Sequence, residues 1–113
     1  MTLTEIATMI ESMGFPFNYY QFKEDPDNPP PAPPFICFYY PYDDDVKADN
    51  INYARVNAVI IELYTDEKDF DSEAAVENVL IQNELAFAKS EAYVESEHMF
   101  QITYTTEVVI NGK

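Results

Sequence analysis

Residues 25–34 read DPDNPPPAPP and hold six of the chain's eight prolines. Proline fixes φ and removes a backbone donor, so this stretch can be neither a helix nor a central strand. It reads as a long polyproline II-like loop or as a hairpin extension between two strands. The runs on either side, Phe17 to Phe22 and Phe35 to Tyr40, are aromatic and extended, and the second is bounded by Pro34 and Pro41.

The remaining elements follow from hydrophobic spacing. Leu3, Ile6, Met9, Ile10 and Met13 make one apolar stripe, so residues 1–14 are expected to be helical. Thr2 and Glu5 have capping-box spacing, Gly14 is a candidate stop, and Pro16 prevents continuation. A polar connection is expected over residues 42–50, carrying Asp43, Asp44, Asp45 and Asp49. Tyr53 to Thr65 reads as a strand whose continuously apolar centre, Ala58 to Ile61, suits burial on both faces. After a charged turn over residues 66–71, Ala75, Val76, Val79 and Leu80 mark a second helix from Ser72 to Asn83, with Asp71 or Ser72 as its cap.

Phe87 to Val94 is a further strand. Met99 to Ile110 alternates at period 2, with Phe100, Ile102, Tyr104, Val108 and Ile110 on one face. The expected order is α-β-β-β-α-β-β. The expected fold is one α+β domain over residues 1–113, with two helices on one face of a mostly antiparallel, four- to five-stranded sheet.

The chain has 21 acidic and 6 basic residues and a net charge of −15. Leu, Ile, Val and Phe make up about a quarter of it, enough for a core despite the self-repulsion. The charge argues against specific nucleic-acid binding and against anionic lipid, both of which depend on Lys and Arg. No apolar run approaches a membrane span, and the N-terminus lacks the pattern of a signal peptide. One cysteine, Cys37, excludes an internal disulfide framework and suits a reducing compartment.

Catalytic signals are weak. Cys37 lies in an aromatic strand, where a buried thiol is an inert small hydrophobe, and the one histidine, His98, has no evident orienting partner in sequence. The acidic runs lack the EF-hand glycine and spacing, and two glycines cannot build a phosphate-binding loop. No catalytic, metal or cofactor residue is assigned, and an enzyme is the last choice. Interaction signals are stronger. Pro29, Pro30, Pro31, Pro33 and Pro34 form a stiff stretch suited to a contact arm, and Tyr39, Tyr40 and Tyr42 belong to an aromatic excess that a small core does not need.

The second half of the chain carries a resemblance. Ile61-Glu62-Leu63-Tyr64-Thr65-Asp66-Glu67-Lys68-Asp69 leads into a helix, and Glu95-Ser96-Glu97-His98-Met99-Phe100-Gln101-Ile102-Thr103-Tyr104 follows it. This arrangement, over roughly residues 53–110, resembles the tail terminator or tail-completion proteins of long-tailed bacteriophages. Glu62, Tyr64, Lys68, Asp69, Glu95, Glu97 and Tyr104 carry it. The resemblance implies a virion protein assembled in the host cytoplasm. It implies a homo-oligomeric ring, a hexamer, that caps the tail tube and contacts tail-tube protein on one side and a head-completion protein on the other. In such a ring Asp43, Asp44, Asp45, Asp66, Glu67 and Asp69 are candidates for a negative lumen through which DNA passes without sticking. The alternatives are another neck or minor tail protein, and an acidic protein-binding module that mimics DNA.

Overall fold

The structure is a computed structural model that describes residues 1–23, 25–41, 43–45 and 55–110. Its elements are α1 (Leu3–Glu11), β1 (Phe17–Tyr19), β2 (Phe35–Tyr39), β3 (Asp43–Asp45), β4 (Arg55–Thr65), α2 (Phe70–Gln82), β5 (Phe87–Val94) and β6 (Met99–Ile110). The sheet runs β1-β2-β4-β6-β5, and β3 pairs with β4 beside that path. Every pairing is antiparallel except β1 with β2. The fold is α+β, with two helices and a mixed sheet.

β4 and β6 form the centre, paired from Arg55↔Ile110 to Thr65↔Phe100. Their register puts Val59, Ile61 and Leu63 of β4 beside Thr106, Tyr104 and Ile102 of β6, and Ile36 and Phe38 of β2 extend the same face. Ile6, Met9 and Ile10 of α1 and Val76 and Leu80 of α2 join these residues in one buried cluster. Both helices therefore cover one face. Each such side chain contributes about 1.5–3 kcal/mol by leaving water.

The capping box at the start of α1 is formed. Glu5 N donates to Thr2 Oγ1 at 3.1 Å, and Thr2 N donates to Glu5 Oε1 at 2.7 Å. The helix ends earlier than its apolar stripe suggests, with Ser12 as C-cap, and Gly14 takes the positive φ of +92° that turns the chain.

Four expectations need correction. First, the proline-rich connection does not close a hairpin, because β1 runs parallel to β2. Second, β1 stops at Tyr19, since Tyr20 adopts φ +70° and breaks the extended run to Phe22. Third, Asp43–Asp45 is not loop but strand β3, in register with Asn57, Val56 and Arg55. β2 reaches only as far as Ile60 on β4, so the backbone groups beyond it are open to a second short strand whatever its side chains. The rest of the expected acidic loop, Tyr42 and residues 46–50, lies outside the described residues, as do residues 53–54 of the expected strand. Fourth, α2 begins at Phe70 and is capped by Asp69, not by Asp71 or Ser72. The Asp69 carboxylate accepts from Ser72 N at 3.0 Å and from Ser72 Oγ at 2.7 Å.

α2 is fixed to the sheet by charge as well as by its apolar stripe. Glu73 points inward from the helix and is almost fully buried. One of its carboxylate oxygens meets Lys68 Nζ at 2.6 Å and the other meets Lys89 Nζ at 2.7 Å. Lys68 also pairs with Glu91, and Lys89 with Glu77 at 2.7 Å. Tyr104, buried in β6, donates its hydroxyl to Glu77 at 2.8 Å. Two of six basic residues thus serve one buried acid and its neighbours.

Burial pushes the Glu73 carboxyl up, but the two lysines outweigh it and hold it below the usual 4.5. A carboxyl with a lowered native value stabilises the fold fully above pH 4.5, and that contribution is lost as pH falls through the native value. Hydrogen bonds donated to Glu73 and its neighbours raise both lysines above 10.5, so their share is present below that pH and lost as pH rises past the native values. The lysines are about a third exposed, which moderates the pairing through solvent screening. Glu73→Gln is therefore expected to cost about 2 kcal/mol at pH 7. Urea denaturation at pH 7 and at pH 3 checks this: the gap between variant and parent should shrink at the lower pH, and an unchanged gap would show that the charge is not what Glu73 contributes.

Candidate functional site

The face of the sheet away from the helices carries an open groove. β2 presents Phe35, Cys37 and Tyr39 there, opposite Tyr64, Glu62 and Ile60 of β4. The connection between β1 and β2 passes over this face and contributes Tyr20, Phe22, Pro30, Pro31 and Pro33. Asp66, at the end of β4, and Glu97, His98 and Met99, from the turn into β6, close one end. Together these residues line an open groove of about 870 Å³.

Aromatic pairs hold the walls. Phe22 meets Phe35 edge-on at 5.4 Å, Phe35 stacks on Tyr64 at 5.1 Å, and Tyr20 meets Tyr39 edge-on at 5.6 Å. Such pairs add to the stability that burial alone gives. Prolines limit the number of conformations of the overlying segment, so the conformational freedom it loses on packing is small.

Glu62 stands at the centre. It interrupts the apolar run of β4, is half-buried, and accepts the Tyr64 hydroxyl at 2.9 Å. Burial, then the hydrogen bond to Glu62 and its charge, push the Tyr64 phenol well above its ordinary range. Burial and Glu62 raise the Tyr39 phenol in the same direction. Cys37, directly across the ladder from Glu62, is pushed up to about 11, first by burial and then by that carboxylate. It is a thiol, not a thiolate, at neutral pH. Cys37 and His98 line the same groove, but the environment does not activate the sulfur. Among the described residues no three His, Cys, Asp or Glu side chains are grouped to hold a metal ion.

The structure separates the interface candidates. Pro30, Pro31, Pro33 and Tyr39 line the groove, and Pro29 is exposed next to it. Pro34 packs at the β2 entrance beside Asp66 and Lys68. Tyr40 turns to the helix-covered face, where it packs on the core and lies 5.6 Å from Tyr19. Tyr42 lies outside the described residues. The acidic candidates fall into two groups. Asp43–Asp45 pairs with the start of β4, whereas Asp66 and Glu67 follow its end, about 30 Å along the strand. Asp66 and Glu67 are exposed, while the Asp69 carboxylate is engaged as the α2 cap.

The residues that carry the phage resemblance have mainly structural roles. Lys68 and Tyr104 belong to the Glu73 network, Asp69 caps α2, and Glu62 and Tyr64 form the groove centre. Composition alone would not single out Glu62. The available signal was its position, a carboxylate inside an otherwise apolar central strand.

No protein-family model matches the chain, and no curated protein matches it. A search of solved structures finds a chain from a "virion of native gene transfer agent (GTA) particle". The two superpose with a TM-score of 0.56 at 16% identity, over 97% of this chain and 89% of that one. At that identity the likeness establishes a shared fold across nearly the whole domain.

The raised Cys37 pKa has a direct consequence. At pH 7.5 the folded protein should react with a disulfide reagent at least about a hundredfold more slowly than the urea-unfolded chain, because the thiolate fraction falls about tenfold per unit. Equal rates would mean that the thiol is open to solvent.

Proposed function

We propose that this chain is a structural virion protein, a tail terminator-like ring subunit that caps a tail tube and joins it to a head. The observation that carries the reading is the fold shared over 97% of the chain with a gene transfer agent virion chain. The strand–helix–strand–strand ending, with its Glu62 to Asp69 and Glu95 to Tyr104 runs, supports it independently.

The surfaces suit a ring. A head-to-tail ring needs two different complementary patches on each subunit. β5 pairs with β6 on one side only, leaving a strand of eight residues as one edge of the sheet, with Tyr93 half-exposed on it. At the opposite side lie β1, β2 and the proline-lined groove. One subunit's β5 edge set against the next subunit's β1 edge would repeat around a closed ring, with tail-tube protein and a head-completion protein on the two rims. Acidic groups at both ends of β4 would keep the lumen negative along its length, so that DNA slides through without binding.

Light scattering and negative-stain imaging, with and without tail-tube protein, test the assignment. A closed ring of about six times 13.0 kDa, alone or on tube ends, is the expected result. A monomer that neither assembles nor binds tube ends would overturn it.

A further inference from the structure

We propose that the groove behind the sheet is a receptor for an arginine side chain presented by a basic partner protein. The pocket is built by register. On β2 the small Cys37 lies between Phe35 and Tyr39, and on β4 Glu62 lies directly across from it, next to Tyr64. Cys37 is 4% exposed and forms a floor, so the larger rings on either side leave a recess with a carboxylate at its base. Tyr20 and Tyr39 stand on one side of Glu62, and the Phe35–Tyr64 stack stands on the other.

Charge complementarity selects the occupant. Glu62, Asp66 and Glu97 all line the groove, and among the described residues no Lys or Arg side chain does. The tyrosine hydroxyl that Glu62 accepts satisfies one oxygen but not the charge. A guanidinium fits both parts of the site. It is planar and stacks on aromatic faces, and its fork of donors matches a carboxylate. A second copy of this chain is a poor donor. It carries a single arginine and a net charge of −15, so like charge keeps it from this acidic groove. The partner is therefore a different and more basic chain. The inference rests on the groove alone and is independent of the virion reading.

The test is a titration of the full isotope-labelled protein with Nα-acetyl-arginine methylamide, followed by amide shifts, with the neutral isostere citrulline methylamide as control. Saturable shifts confined to residues 35–39 and 61–66 are expected for arginine, and much smaller ones for citrulline. Glu62→Gln should weaken binding about tenfold, the effect of one lost charge-assisted contact. If that variant fails to fold, Tyr20→Ala takes its place: the Tyr20 ring is 60% exposed, and its removal should weaken binding without unfolding the chain. Equal shifts with citrulline, shifts scattered over the acidic surface, or no saturable shift would overturn the proposal. Failure of ring assembly would leave it standing, and failure here would leave the ring untouched.

Discussion

The long ladder between β4 and β6 supports everything else in the molecule. It pairs all of β4, so one register decides which side chains face the helices and which face the groove. On one side it aligns Val59, Ile61 and Leu63 with Thr106, Tyr104 and Ile102, and both helices seat there. On the other it leaves Glu62 and Tyr64 beneath the proline segment. A slip of one residue would exchange the two faces, putting Glu62 in the core and Ile61 in the groove. The buried apolar set makes that slip prohibitive, so the core fixes the geometry of the opposite face.

Charge is handled differently on the two faces. Toward the helices, Glu73, the one deeply buried acid among the described residues, meets two lysines, and Tyr104 donates to its neighbour Glu77. Leaving such a group unpaired in a low-dielectric interior would cost several kcal/mol, of order 3–5 when a partner is removed. In the groove, Glu62 accepts the Tyr64 hydroxyl and, half-buried, remains partly in water. A chain with 21 acidic and 6 basic residues cannot neutralise every carboxylate internally. Two of its six basic residues, Lys68 and Lys89, stand where burial makes pairing necessary.

Several parts of this arrangement were legible from local pattern. The Thr2–Glu5 capping box, the span of β5, and the alternating face of β6 are properties of a few neighbouring residues, and each forms as read. Capping depends on residues three apart and strand alternation on residues two apart. The acidic stretch misled, because composition describes side chains while β3 is held by backbone groups at a free place on β4. The α2 cap moved from the expected Asp71 or Ser72 to Asp69 because the Ser72 amide and hydroxyl both lie within its reach, a preference the sequence does not reveal.

By itself the sequence determined an α+β fold with two helices on one face, a proline segment excluded from regular structure, and a strongly negative net charge. These follow from periodicity, from the missing proline N–H, and from the count of charged residues, none of which needs a partner far along the chain. Only the tertiary structure decided that β1 is parallel to β2, that the proline segment roofs the back of the sheet, and that Cys37, Glu62 and His98 line one groove. Those relations join residues tens of positions apart, and their register is set by which apolar side chains pack together in the core.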